Sequence, residues 1–223
     1  MKEFKNIKYL CLDLDGTCYQ DLEPIFGQVS KRMTQYISQK LSLNLKEAKE
    51  LQTNYFHKYN TSLNGLMIHH KIDPMEFLDY VHDINADIIK EDLDLKNQLT
   101  KLKVKKFIYT NGSKGHAINI LGRLGIKNQF DGIFDIVDAN FVPKPQLEPF
   151  KKMIKKFNIN PKETVFIEDI AKNLEPAKKL GIKTVWLINN EYWGEKDSDK
   201  DFVDLKIKNL SSFLKEINIL QAA

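Results

Sequence analysis

The sequence is short of cysteine, of long apolar runs and of net charge, and each shortage excludes something. Cys11 and Cys18 are the only cysteines among 223 residues. Cys11 falls inside an apolar run that reads as a buried strand, so a structural disulfide is not expected and a reducing compartment is. No apolar run reaches membrane-spanning length, and the chain meets Asp13 before a signal-length apolar stretch develops. The expectation is a cytoplasmic protein with no membrane partner. Formal net charge is only +4, too little to argue for nucleic acid. The clusters Lys101, Lys103, Lys105, Lys106 and Lys151, Lys152, Lys155, Lys156 lack interleaved arginine and aromatic residues, so they read as solvated faces. There is no internal repeat and no low-complexity segment. What remains, 42% hydrophobic and 29% charged, describes an ordinary globular chain.

From about Gln98 onward, short apolar runs alternate with helical periodicity. Lys106 to Tyr109, Ile133 to Val137, Thr164 to Ile167 and Lys183 to Ile188 read as strands. Between them lie helices carrying Ala117, Ile120, Leu121 and Leu124, then Leu147 to Phe157, then a helix ending at Leu180 before Gly181. A polar loop is expected around Glu191 to Asp199 and a terminal helix over Leu210 to Ile217. Strand alternating with helix implies a parallel sheet covered on both faces, an α/β Rossmann-like core. Residues from about Cys18 to Asn97 read instead as helix after helix. Asn44 can cap a helix through about Tyr59, and Asp73 followed by Pro74 is a favoured helix start. The expected organisation is therefore a core of residues 1–17 and 98–223, with a helical cap domain, residues 18–97, inserted after the first strand.

The chemistry begins at Asp13-Leu14-Asp15-Gly16-Thr17, directly after the apolar run Tyr9-Leu10-Cys11-Leu12. Positions two apart share a strand face, so both carboxylates can reach one spot, which usually means a cation or a shared proton. Three later segments end in the same way. Ile108-Tyr109 runs into Thr110-Asn111-Gly112-Ser113, Lys144 stands between Pro143 and Pro145, and Val165-Phe166-Ile167 runs into Glu168-Asp169. In open parallel sheets ligands bind beyond the carboxyl ends of strands, where Asp13, Thr110 and Glu168-Asp169 all fall. Asn173 reads as a helix N-cap and stays outside this set.

In order and composition these segments resemble the four motifs of the haloacid dehalogenase superfamily of phosphatases. Gly65-Leu66-Met67, Ile72-Asp73-Pro74, Tyr80-Val81-His82-Asp83-Ile84, the pair His116-Ala117 and Leu124-Gly125-Ile126 further resemble its pyrimidine 5′-nucleotidase-type group. The resemblance implies Asp13 as nucleophile and metal ligand, and Asp15 as acid/base with its backbone carbonyl on Mg²⁺. It implies phosphate contacts from Thr110, Asn111 and Lys144, direct metal ligation by Asp169, and ligation by Glu168 through water. Two positions depart from the pattern: Cys18, expected near a cap hinge, and Asn60, which tolerates left-handed backbone angles.

The implied activity is hydrolysis of a small phosphorylated metabolite, with nucleoside 5′-monophosphates as first expectation. A carboxylate about 4 Å from a dianion meets a repulsion of about 8 kcal/mol at an effective dielectric near 20, so the site must supply positive charge. An acid at position 15 suits a phosphate ester, whose alkoxide needs a proton on leaving; a halide needs none. A sugar-phosphate mutase on the same aspartyl phosphate, or a binding protein on the same fold, are the alternatives left open. Tyr19, Phe26, Tyr55, Tyr59, His69 and His70 are the cap residues whose type could stack on a nucleobase.

Overall fold

Runs such as Tyr9-Leu10-Cys11-Leu12 and Thr164-Val165-Phe166-Ile167 have no polar alternation because both of their faces are covered, the pattern of central parallel strands. The computed structural model describes residues 1–189 and 192–222. Among the described residues, six strands form one parallel sheet in the order β3-β2-β1-β4-β5-β6. They are β1 (Tyr9–Leu12), β2 (Lys105–Tyr109), β3 (Gly132–Phe134), β4 (Thr164–Glu168), β5 (Lys183–Leu187) and β6 (Leu205–Ile207). Sequence and sheet order part company on either side of β1, which creates the crevice at strand ends where such sheets hold ligands.

The first four of the five helices described between β1 and β2 are α1 (Glu23–Leu41), α2 (Leu45–Tyr59), α3 (Ser62–His70) and α4 (Pro74–Val81). Local chemistry fixes their ends. Asn44 and Glu47 form a reciprocal capping box at the start of α2, and Asn60 closes that helix with φ +67°, a left-handed angle that asparagine tolerates. Asp73 caps α4, with Pro74 at the first helical position. Thr34 Oγ1 donates to Gln52 Oε1 at 2.6 Å between α1 and α2. Arg32 donates to Tyr80 O at 2.6 Å and lies over the Tyr80 ring, tying α1 to α4. The apolar cluster containing Tyr36, Leu66 and Phe77 runs on into Phe107, Tyr109 and Phe166 on one face of the sheet.

The remaining helices are α5 (Leu93–Lys101), α6 (Lys114–Arg123), α7 (Leu147–Phe157), α8 (Glu175–Lys179), α9 (Tyr192–Glu195) and α10 (Leu210–Ala222). Helix α5 is continuous across residues 97 and 98 and packs on α10. Several expectations are corrected here. The strand expected to reach Val137 stops at Phe134, because Asp135 turns the chain: its carboxylate accepts Lys114 N at 2.7 Å and Asp138 N at 2.9 Å. Asn173 is no N-cap; it is buried inside a short 3₁₀ turn, Ala171–Leu174. The loop expected over Glu191 to Asp199 begins outside the described residues, at Glu191, and contains α9 from Tyr192 onward. No helix among the described residues is long and apolar enough to cross a membrane.

Candidate active site

Strand β1 runs into Asp13, whose backbone N–H still bonds to Ile167 O of β4 at 3.0 Å. That extra rung sets the Asp13 side chain beside the end of β4. Lys144 Nζ sits between the two strands, 2.6 Å from Asp13 Oδ1, 2.6 Å from Glu168 Oε2 and 3.1 Å from Tyr109 O of β2. The lysine is only 2% exposed, so its charge is held by these carboxylates rather than by water. Burial by itself lowers the lysine pKa, but Asp13 and Glu168 outweigh it and hold the ammonium protonated.

Asp169 completes the group. Its carboxylate accepts Asn189 Nδ2 at 2.9 Å, and its carbonyl accepts Trp186 Nε1 at 2.8 Å. It approaches the turn after β1 so closely that a Cβ on Gly16 would lie 2.2 Å from Asp169 Oδ2, and Gly16 itself has φ +89°. Only glycine satisfies both demands. Asp13, Glu168 and Asp169 each offer an oxygen within 4.8 Å of the others. Three buried carboxylates face a single lysine. Burial and Glu168 raise the pKa of both Asp13 and Asp169, with Lys144 opposing. An all-oxygen donor set with surplus negative charge fits a hard divalent cation.

Thr110 and Asn111 lie where β2 ends. Thr110 Oγ1 accepts Gly112 N at 2.9 Å, which curls the loop, and Asn111 Oδ1 accepts Lys144 N at 2.9 Å, which seats the lysine loop against it. The Thr110 hydroxyl hydrogen and the Asn111 amide nitrogen have no partner among the described residues and remain available as donors. All seven residues expected in the site are thus found at the ends of β1, β2 and β4 or on the loop carrying Lys144.

Asp15 has different surroundings. Its Oδ1 accepts Tyr19 OH at 2.5 Å and His116 Nε2 at 2.9 Å. Burial pushes the carboxyl up, but His116, Tyr19 and His82 together bring it below the ordinary aspartate value. The His116 ring stacks on His82 with centroids 4.5 Å apart, and His82 Nδ1 lies 2.9 Å from Ser113 Oγ. Sequence reading did not find this arrangement. Tyr19 was a candidate for base stacking and instead bonds Asp15. His116 carried only family resemblance, and 101 positions separate it from its partner. Cys18 is also at the site, its thiol donating to Asp13 O at 3.3 Å.

A family model for haloacid dehalogenase-like hydrolases matches residues 10–187. The chain is 29% identical to the glyceraldehyde 3-phosphate phosphatase of Methanocaldococcus jannaschii, across 93% of this chain and 96% of that protein. It is 26% identical to phosphate metabolism protein 8 of Saccharomyces cerevisiae, across 94% of this chain and 70% of that one. Its fold matches the crystal structure of an HAD phosphatase from Thermococcus onnurineus with TM-score 0.63 at 22% identity, covering 95% and 98% of the two chains.

Proposed function

The chain belongs to the haloacid dehalogenase-like hydrolase family, and from that premise we propose that it is a magnesium-dependent phosphomonoester hydrolase acting on a small metabolite through an aspartyl phosphate. The observation that carries this reading is the contrast between two neighbouring carboxylates. Asp13 lies among Lys144, Glu168 and Asp169, while Asp15 is held apart by His116 and Tyr19. Titratable groups in opposed environments are what divide nucleophile from acid/base.

Asp13 attacks phosphorus and the ester P–O bond breaks. Asp15 gives its proton to the leaving alkoxide, then takes one from the water that hydrolyses the aspartyl phosphate, which regenerates Asp13 and releases inorganic phosphate. Asp15 is ionised in the resting site; an arriving dianion raises its pKa toward the protonated form the first step requires. Lys144, the Thr110 hydroxyl and the Asn111 amide hold the phosphoryl oxygens. Bound by Asp13 and Asp169, by Glu168 through water and by the Asp15 carbonyl, Mg²⁺ would supply the positive charge that lets a carboxylate meet a dianion. Helices α1 to α4 form the cap over this site, and the cap ends ahead of α5, which packs with the core.

Nucleoside 5′-monophosphates are the first substrates to test, on the strength of the nucleotidase-type residues in α3, α4 and α6. A triose phosphate is the second reading, and it has an observation in its favour. Tyr19 is committed to Asp15, while Tyr55, Tyr59, His69 and His70 bond and stack on one another, which engages five of the six cap residues expected to stack on a base and leaves the exposed Phe26. The M. jannaschii relative is itself named for a triose phosphate. The deciding experiment is kcat/KM across pyrimidine and purine 5′-monophosphates, triose and sugar phosphates, with Mg²⁺ and with EDTA. A preference for UMP or CMP supports the nucleotide reading, and a preference for glyceraldehyde 3-phosphate supports the second. No Mg²⁺-dependent hydrolysis of any ester would remove the phosphatase reading.

A further inference from the structure

We propose that His116 is a positioning residue for Asp15, and that His82 from the cap holds His116 in place, so that seating the cap and aiming the acid are one event. The proposal rests on the phosphatase reading for its kinetic consequences, though not for its geometry.

Both donors to Asp15 converge on one oxygen. Tyr19 OH and His116 Nε2 meet Oδ1, and among the described residues Oδ2 accepts no hydrogen bond. The carboxylate is therefore fixed in rotation with one oxygen held and the other left free to exchange a proton. Tyr19 follows β1 on the same local segment as Asp15. His116 comes from α6, so it is the tie that fixes Asp15 relative to the rest of the core. The His116 side chain is buried, and its Nδ1 is buried with no hydrogen-bond partner among the described residues. An apolar side chain would fill that space without stranding a nitrogen. Retaining histidine there makes sense for the sake of its other nitrogen, which serves Asp15.

Without a partner on Nδ1, the ring takes its orientation from what it lies against. That is His82, stacked at 4.5 Å with planes 17° apart. His82 follows α4 directly, so it belongs to the cap. Its Nδ1 reaches Ser113 Oγ at 2.9 Å, and the same Oγ accepts the backbone N–H of His116 at 3.3 Å as the N-cap of α6. Ser113 thus receives a hydrogen from the start of α6 and can give its own to the cap. The chain of contacts runs from the end of α4 through His82 and His116 to Asp15. Gly112 leaves it room: a Cβ there would stand 3.3 Å from His116 Cδ2 and 3.8 Å from His82 Nε2.

The test compares an alkyl phosphate, which needs a proton on leaving, with p-nitrophenyl phosphate, which needs almost none. General-acid assistance is worth about 100-fold or more, so His116→Ala is expected to lower kcat on the alkyl ester by about 100-fold and on the nitrophenyl ester by less than about 5-fold. His116→Gln keeps an N–H donor at similar reach and is expected to recover most of the loss. His82→Ala should show the same selectivity at smaller size. Equal losses on both esters, or no recovery with glutamine, would overturn the proposal. A crystal structure of His116→Ala reads the geometry without turnover. A rotated Asp15 carboxylate supports the proposal, and an unmoved one overturns it. If the wild type hydrolyses neither ester while Asp15 rotates in the variant, the phosphatase reading fails and the positioning role stands.

Discussion

At Lys144 a single ammonium group holds two buried carboxylates, and the consequences of removing it can be worked out in advance. Lys144→Met keeps most of the volume and deletes the charge. Asp13 and Glu168 then face each other with no cation between them in the metal-free protein. Breaking one partner out of a buried ion pair costs about 3–5 kcal/mol, so urea denaturation in EDTA should show a loss of that order. A loss under about 1 kcal/mol would mean that the lysine is not the counter-charge for this cluster. Asp13→Asn is the complementary case. It retains shape while removing one negative charge from a crowded site, so melting temperature should hold or rise while turnover disappears. Substantial residual turnover would remove Asp13 as nucleophile. The seven site residues were legible because each ends an apolar run or stands between prolines, marks that a linear sequence carries. The support around Asp15 was not legible: Tyr19 and His116 matter through contacts that only the folded chain creates.

Elements repeat that division between local signal and tertiary consequence. Helix α3 crosses α2 where Gly65 meets Tyr55; a Cβ at Gly65 would lie 2.4 Å from Tyr55 Cγ and 2.6 Å from its Cβ. Those atoms are close to the α2 backbone and cannot swing aside. Gly65→Ala gains about 1 kcal/mol of helix propensity, yet overpacking typically costs about 1–3 kcal/mol, and here the two helices must separate as well. Net destabilisation is expected in urea unfolding; a more stable variant would mean that the contact between α2 and α3 is looser than it stands. Asn44 and Asp73 made the starts of α2 and α4 readable, since capping is written in adjacent residues. Strands β1, β2, β4 and β5 were readable because burial on both faces leaves continuous apolar runs. Strand β6 was missed for the opposite reason. It is three residues, Leu205-Lys206-Ile207, pairs among the described residues only with β5 at the sheet edge and exposes its middle side chain. The start of α5 is written locally too, since Asp92 caps it through Leu95 N at 2.9 Å.

For the molecule as a whole, stability should respond to Mg²⁺ and pH together. Asp13 and Asp169 have folded pKa values raised above the ordinary 3.8 by burial and by Glu168. Above about pH 4 the unfolded chain releases these protons while the metal-free folded chain still holds them. The folded state then binds more protons, so stability falls as pH rises from that point toward the raised folded values. His82 acts in the opposite sense. Burial and the neighbouring His116 hold it down to about 3 against an ordinary 6.5, so its contribution is present above pH 6.5 and is lost as pH falls through the interval below. A melting curve against pH therefore mixes two opposed slopes. The difference between melting temperatures with saturating Mg²⁺ and with EDTA removes most of the His82 contribution, because that residue is present in both samples. What remains belongs to the carboxylates, which a divalent cation favours in their ionised form. Binding to the folded chain alone raises stability as RT ln(1 + [Mg²⁺]/Kd), and Kd weakens at low pH because protons compete for the same oxygens. The Mg²⁺-induced rise in melting temperature should accordingly be larger at pH 8 than at pH 5.5, and Asp169→Asn should reduce it at both. A rise that is independent of pH, or that survives in Asp169→Asn, would place the cation somewhere other than Asp13, Glu168 and Asp169.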